Sequence, residues 1–356
     1  MGKKLLFLFC SLLTTFLLLY YIFSRPTGLS WENLLARFNP VYAWIYLALY
    51  FFGLLLRTWR YRLLVKMASG GEGVPFLPMT MVTASRNMLV DLLPARIGGL
   101  SYPVLLNRVV GVELSHCLTS FTYAFIFDLL SLGPLLGMVV FWDYFTTPRS
   151  YPWLLLLSAL ILAIGILVLI FLEPMVKSTA AWFHYFFKGA RVHNSWGKKI
   201  TAELEAVSRS FSQLKQGKGF WPLLGLSLII RAVKYTLLYL MLRAVVEALL
   251  SREMDLPFLT IVFGLVGSEV AASLPVSGLA GIGFYEGFLG VTLKGLGIST
   301  VQGVSLALSM HLLTQVVDYS LGAGALGYLM YQWSGKKKLL LNAGNGETGK
   351  PAASDQ

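Results

Sequence analysis

The sequence predicts an all-α polytopic membrane protein with six clear transmembrane helices and two interrupted or re-entrant helical hairpins. Hydrophobic residues make up 56% of the 356 residues and charged residues only 13%, which is about half the charged fraction of a typical soluble domain. Six apolar runs are each long enough to cross about 30 Å of hydrocarbon. They lie near residues 5–23, 41–58, 114–141, 152–172, 220–246 and 300–333.

Two further apolar segments, near residues 76–110 and 257–297, are interrupted in the same way. Each runs from an apolar helix through a Leu-Pro pair into glycines, with charged residues nearby. The two pairs are Leu93-Pro94 and Leu274-Pro275. Broken backbone and charge at membrane depth are tolerated only where they are buried in protein or line a wet cavity. Such interruptions at matching places in two halves indicate a transporter binding site.

Basic residues predict which regions face the cytoplasm, because cytoplasmic loops carry an excess of Lys and Arg. The three basic regions are Arg57, Arg60, Arg62 and Lys66 after the second span, the connection 174–219, and Lys336, Lys337 and Lys338 after the last span. This orientation requires each interrupted segment to enter and leave the membrane on one side, the first from the cytoplasm and the second from outside. The halves are then oppositely oriented, which predicts an inverted repeat with both termini cytoplasmic. A re-entrant hairpin and a pair of full crossings would both return the chain to the side from which the segment entered.

One integral membrane domain is predicted over residues 1–334, followed by a disordered cytoplasmic tail over residues 335–356. The connection 174–219 belongs to the membrane domain and has the apolar spacing of an amphipathic helix on the inner surface. The first apolar run follows two lysines but precedes no small-residue cleavage site. It is therefore predicted to remain as an uncleaved anchor helix.

Charges inside the apolar segments mark a candidate site, because each costs about 2.5–3.5 kcal/mol at a helix centre. Arg231 and Lys234 share one helix face, and both substrate contact and a structural ion pair are open for them. Arg86, Asn87 and Arg96 flank the first break. Glycine-rich turns and helix starts there favour an anion, and arginine adds bidentate phosphate geometry.

Five further residues are candidates for charge balance or a proton relay. Four of them are intramembrane carboxylates that would pair with the arginines and Lys234. His311 stands on one polar stripe of the last span, which either lines a cavity or forms interhelical hydrogen bonds. The five are Asp128, Glu269, Glu286, His311 and Asp318.

Several functions are disfavoured by the sequence. It contains no His-Glu-x-x-His motif, no Gly-x-Ser-x-Gly motif and no Cys or His cluster, so no enzymatic activity, metal or cofactor is expected. The net charge is +12, but the basic residues lie mainly in loops. Anionic lipid headgroups are therefore the expected partners rather than nucleic acid. The sequence does not determine the oligomeric state, and a homo-oligomer is possible.

The motifs at the two breaks resemble those of the lysylphosphatidylglycerol synthase transmembrane-region family. They are Asn87, Leu93-Pro94-Ala95-Arg96-Ile97-Gly98, Leu274-Pro275-Val276-Ser277 and Gly281-Ile282-Gly283-Phe284-Tyr285-Glu286. The similarity extends to about Trp333, and it implies a stand-alone member without the soluble synthase domain. Such a protein would be a lipid flippase or lipid-binding transport protein of the bacterial cytoplasmic membrane. An accessory or catalytic subunit of lipid transfer and a non-transporting scaffold are the alternatives.

The resemblance implies a membrane lipid as substrate, either a phospholipid with an anionic headgroup or a polyprenyl phosphate bearing a glycan. The glycines of the motifs, Gly98, Gly281 and Gly283, would then contribute to the headgroup site. This chain departs from the family at two places, because Tyr102 and Tyr285 stand where arginines are common. Both tyrosines are candidate headgroup residues, and they point to a sugar-bearing or less charged headgroup.

Overall fold

The computed structural model describes residues 31–146, 152–189, 219–250, 254–273 and 281–347, together with residues 16, 20, 202 and 205–210. In this part of the chain all regular secondary structure is helical. The helices are α1 (Trp31–Arg37), α2 (Pro40–Ala68), α3 (Phe76–Leu92), α4 (Ser101–Leu105), α5 (Leu114–Thr146), α6 (Pro152–Gly189), α7 (Phe220–Leu250), α8 (Phe258–Ala272), α9 (Phe284–Gly295) and α10 (Thr300–Glu347).

Four stretches of the described helices are long and apolar enough to cross a membrane. They are Pro40–Ala68, Leu114–Met138, Phe220–Leu250 and Thr300–Gly335. These helices confirm the prediction of a helical, multi-pass membrane protein. The predicted span at 152–172 forms the first part of α6, and the span at 5–23 lies outside the described residues except for 16 and 20. The count of six spans and the inverted repeat stay predictions.

The first interrupted segment breaks at the predicted Leu-Pro pair. Helix α3 ends at Leu92, and Leu93 is extended (φ −92°, ψ 137°), as expected for a residue before proline. A 3₁₀ helix follows over Pro94–Leu100, then α4, then a π-helical turn over Leu106–Val110. The chain therefore changes helical type three times within one apolar segment.

The second interrupted segment forms two short helices, α8 and α9, that pack against each other. Close packing depends on Gly264 and Gly267, where an added Cβ would meet Thr292 and the Phe288 ring. The second Leu-Pro pair lies within residues 274–280, which are outside the described residues. Helix α10 packs against both α3 and α9, so one long helix contacts an arm of each interrupted segment.

Two arginines used to predict orientation lie elsewhere than expected. The sequence predicts that Arg57 and Arg60 follow the second span, but α2 continues to Ala68 and contains both. Arg60 is only 2% exposed. The helix can continue past these charges because the protein interior supplies a carboxylate partner for Arg60 on α5.

The connection and the tail are more helical than the sequence predicts. Helix α6 extends into the predicted connection as far as Gly189, and residues 205–210 are also helical. The rest of the connection is outside the described residues, apart from 202 and 219. Helix α10 continues to Glu347, whereas a disordered tail is predicted from residue 335. The Lys- and Leu-rich run at 336–341 has high helix propensity, which accounts for the extension. The boundary of the membrane domain at residue 334 stays a prediction.

Candidate functional site

A cavity of about 460 Å³ lies among α2, α3, α5, α7, α8 and α10. It brings together residues from both interrupted segments and from the polar stripe of α10. Seven of the ten candidate headgroup residues line it: Arg86, Asn87, Arg96, Arg231, Lys234, Gly281 and Tyr285. Four of the five candidates for charge balance line it as well: Asp128, Glu269, His311 and Asp318.

The charges on the cavity wall do not balance. Six cationic side chains line the cavity, namely Arg57, Arg60, Arg86, Arg96, Arg231 and Lys234. Four carboxylates face them, namely Asp91, Asp128, Glu269 and Asp318. Among the described residues of the wall, cationic side chains therefore outnumber carboxylates by two, leaving aside His311 and the Glu286 carboxylate that contacts it. In a membrane protein such an excess is costly, and a bound anion would relieve it.

Arg60 and Asp128 form the firmest ion pair of the cavity. Two guanidinium nitrogens of Arg60 donate to the two carboxylate oxygens of Asp128, at 2.6 and 3.3 Å. Arg60 also donates to the Ser227 hydroxyl at 3.0 Å. These contacts use three of the five N–H donors of Arg60, so this arginine holds α2, α5 and α7 together at the cavity wall. Its Nε has no hydrogen-bond partner within the described part of the chain.

Glu269 on α8 is paired with two cations of α7. Its carboxylate forms an ion pair with Lys234, and Arg231 Nη1 lies 3.7 Å from Glu269 Oε2. The Tyr235 hydroxyl donates to the same oxygen at 3.3 Å. Arg231 stands between two carboxylates, because its Nε lies 3.9 Å from Asp128 Oδ1. Its Nη1 also donates to the Tyr235 hydroxyl at 3.4 Å, whereas its Nε has no hydrogen-bond partner among the residues that the structure describes.

The first break contributes cations that form no ion pair. Among the described residues no carboxylate pairs with Arg86 or Arg96. Arg86 Nη1 donates to Asn87 Oδ1 at 3.5 Å, but the buried Arg86 Nε and Asn87 Nδ2 have no hydrogen-bond partner in this described part of the chain. Arg96 has φ of +54°, a left-handed conformation that is uncommon for residues other than glycine. Unpartnered donors facing a cavity are typical of a site that receives an anionic ligand.

Glu286, His311 and Gln315 form a hydrogen-bonded chain at the second break. Glu286 is fully buried and accepts the Gly283 N–H at 2.6 Å at the start of α9. Its other oxygen lies 2.5 Å from His311 Nδ1, and His311 Nε2 lies 2.9 Å from Gln315 Nε2. The His311 ring contacts the Tyr285 ring in a tilted arrangement, with centroids 4.5 Å apart. Glu286 thus occupies the helix start with its own carboxylate and orients an imidazole that lines the cavity.

Asp318 occupies a third part of the cavity. It accepts a 2.5 Å hydrogen bond from the Tyr50 hydroxyl on α2. Asp91, at the end of α3, also lines the cavity, as does Arg57. This part joins the first interrupted segment to α2 and α10.

Comparison with known proteins gives one match. The family model described as the lysylphosphatidylglycerol synthase TM region matches residues 7–322. The chain belongs to this family. No curated protein and no solved structure matches the chain. The match covers both interrupted segments and every charged residue of the cavity wall, so the site described above lies inside the family domain.

Three candidate headgroup residues of this lysylphosphatidylglycerol synthase TM-region protein lie away from the cavity wall. Tyr102 is fully buried, stacks on Tyr61 with centroids 4.3 Å apart, and shares a 3.1 Å hydrogen bond with Ser120. Gly98 packs against the backbone of Leu89, which leaves no room for a side chain. Gly283 (φ +111°) begins α9 and donates its N–H to Glu286. These three residues shape the breaks instead of lining the cavity.

Several residues of the cavity wall were missed by sequence reasoning. Arg57 and Arg60 were assigned to a cytoplasmic loop, and Tyr46 and Tyr50 lie on an apolar helix that gives no motif signal. A spacing argument was available for Arg57 and Arg60. Together with Tyr46, Tyr50 and Gly53, they recur every three or four positions and so share one face of α2.

Proposed function

We propose that this protein binds a phosphate-bearing membrane lipid in the central cavity and moves it between the leaflets of a bacterial cytoplasmic membrane. It acts as a lipid flippase or lipid-binding transport protein and catalyses no chemical reaction. The observation that carries this proposal is that cationic side chains outnumber carboxylates by two on the described wall of a cavity inside a membrane domain. A phospholipid headgroup or a polyprenyl phosphate supplies the missing negative charge.

Arg86, Asn87 and Arg96 are the proposed phosphate ligands. They supply guanidinium and amide donors that have no carboxylate partner among the described residues. Guanidinium groups bind phosphate through two parallel hydrogen bonds. Arg231 and Lys234 contribute from α7, although Glu269 already occupies them in part. The acyl or polyprenyl chain would extend from the cavity toward the apolar surface of the helices.

The lengths of the interrupted arms support re-entrant hairpins. Helices α3 and α8 have 17 and 15 residues. At about 1.5 Å per residue, they are about 26 and 22 Å long, which is short of a hydrocarbon core of about 30 Å. We propose that the first hairpin enters from the cytoplasm and the second from outside, with both termini cytoplasmic. The hairpins would then meet at the cavity, which would open to each side in turn.

A second candidate is a scaffold that binds lipid or a partner enzyme without transport. The ion pair of Arg60 with Asp128 favours a scaffold, because its two hydrogen bonds between helices account for two intramembrane charges without a ligand. The name of the family also connects this domain with lipid synthesis. A scaffold predicts that exchanging Arg231 and Glu269 between their positions preserves function, because the ion pair remains. A transporter predicts that the exchange abolishes it.

The test is transbilayer movement of a fluorescent phosphatidylglycerol in phosphatidylcholine proteoliposomes. Arg86→Ala and Arg96→Ala are expected to slow the movement about tenfold or more, since a hydrogen bond to a charged group contributes about 1.5–3 kcal/mol. Arg243→Ala is the matched control, because Arg243 is half exposed and pairs with Glu247 outside the cavity. Equal rates in wild-type proteoliposomes and in protein-free vesicles would contradict the proposal.

A further inference from the structure

Glu269 occupies an unusual position among the charges of the cavity. It lies on α8 of the second interrupted segment, is 8% exposed, and faces Lys234 and Arg231 on α7. One carboxylate is therefore shared by two cations of a neighbouring helix.

These two cations belong to the set that the proposed function gives to the lipid phosphate. A carboxylate and a phosphate monoanion carry the same charge and accept the same guanidinium and ammonium donors. We infer that Glu269 is an internal counter-ion that competes with the lipid phosphate for Arg231 and Lys234. This inference rests on the proposed function and adds a residue that sets the affinity of the site.

The lipid phosphate can replace Glu269 as the partner of one cation without leaving any buried charge unpaired. Removing the only partner of a buried charge is strongly unfavourable. Here two cations face Glu269, so an entering phosphate can take Arg231 and leave the carboxylate paired with Lys234. Arg231 is already suited to change partners, because it stands 3.7 Å from Glu269 and 3.9 Å from Asp128, and its Nε has no hydrogen-bond partner among the described residues.

The exchange also connects headgroup binding to the second hairpin. Helix α8 packs mainly against α9, and the ion pairs of Glu269 join it to α7. Phosphate binding weakens those ion pairs and so loosens the hairpin from α7. A ligand shifts a conformational equilibrium only through differential contacts with the two states, and the lost Glu269 pairs supply such a difference.

The test measures binding of dioctanoyl phosphatidylglycerol to the full-length protein in detergent by calorimetry, with lipid movement measured in proteoliposomes. Glu269→Gln keeps the size of the side chain and removes its charge. It is expected to bind the lipid about tenfold more tightly, given the coupling measured for close charge pairs, and to move lipid more slowly because release is slower. Glu269→Asp, which draws the charge back from Lys234, should show an intermediate affinity.

Asp318→Asn is the matched control, since it removes the same charge from the same cavity at a residue bonded to Tyr50 rather than to a cation. It should give a clearly smaller gain in affinity than Glu269→Gln. Three results would each overturn the counter-ion inference. The first is an equal gain in affinity for Asp318→Asn and Glu269→Gln, the second is unchanged or weaker binding by Glu269→Gln, and the third is weaker binding by Glu269→Asp. If Arg86→Ala and Arg96→Ala lose lipid binding, the proposed function stands in all of these cases. If neither arginine variant alters lipid binding, both the proposed function and the counter-ion inference are overturned.

Discussion

Arg60 and Asp128 are joined by two hydrogen bonds between helices α2 and α5, in the interior of a membrane domain. The distances are 2.6 and 3.3 Å, and the Arg60 side chain is only 2% exposed. Ser227 on α7 adds a third contact to Arg60 at 3.0 Å. Three predicted spans thus meet at one charge pair, which fixes the wall on which the remaining cations of the cavity stand.

Removal of either partner of this pair is expected to destabilise the protein strongly. Arg60→Ala leaves the Asp128 carboxylate without its main partner, and loss of a partner in a buried ion pair costs about 3–5 kcal/mol. Thermal unfolding in detergent measures the effect. Arg243→Ala breaks an exposed i,i+4 pair with Glu247 and should cost less than about 1 kcal/mol. Similar unfolding temperatures for the two variants would show that Arg60 is not a structural cation.

Gly98 and Gly99 should respond differently to the same substitution. A Cβ at Gly98 would overlap the Leu89 carbonyl in α3, whereas one at Gly99 would make contacts of 3.4 Å or more with Phe121 and Val90. We expect Gly98→Ala to lower the free energy of unfolding by at least about 3 kcal/mol, at the upper end of the cost of overpacking. Gly99→Ala should change it by less than about 1 kcal/mol. Chemical unfolding of both purified variants provides the comparison, and equal stability would contradict the close approach of the 3₁₀ segment to α3.

Tyr102→Phe separates a structural role from a headgroup role. The Tyr102 hydroxyl contacts Ser120 within the core, and the residue does not line the cavity. Loss of one neutral hydrogen bond should lower the free energy of unfolding by about 1 kcal/mol. Lipid movement should remain at the wild-type rate when it is measured well below the unfolding temperature. A large loss of movement without loss of stability would return Tyr102 to the headgroup site.

Glu286 is expected to tolerate glutamine better than alanine. Its carboxylate accepts the Gly283 N–H and contacts His311. Glutamine retains an acceptor for the N–H, whereas alanine removes the cap of α9 and the partner of the imidazole together. We expect Glu286→Ala to cost about 2–3 kcal/mol, the sum of a lost cap and a buried group left unsatisfied, and Glu286→Gln to cost less. Unfolding temperatures that rank the variants in the opposite order would show that the contact does not stabilise the second break.

Local sequence rules identified many residues of the cavity wall, but not all of them. Several features were visible because each violates the rules for a lipid-facing helix. They are the Leu93-Pro94 pair, the cations Arg86 and Arg96, and the intramembrane charges on α7 and α10. Most of these residues do line one cavity. The interrupted backbone of the first segment was predictable because proline excludes the preceding residue from the helical region.

Other features depended on contacts that a sequence does not encode locally. Arg60 looked like a loop residue because its partner, Asp128, is 68 positions away. Tyr102 looked like a replacement for a headgroup arginine, but packing on Tyr61 turns it into the core. The extension of α10 was missed because glycine and asparagine in the predicted tail suggest disorder, while the intervening Lys-Leu run continues the helix.

The surplus of positive charge on the cavity wall has an electrical consequence. Under the proposed function, a lipid with a singly charged phosphate would reduce the surplus from two charges to one, so the loaded and the empty cavity would both carry positive charge through part of the membrane field. Over a full cycle the charges of the protein return to their starting places, and the net charge moved is the single negative charge of the lipid. The field contributes about 2.3 kcal/mol per charge for each 100 mV crossed, so a potential that is negative inside would favour outward movement of an anionic lipid.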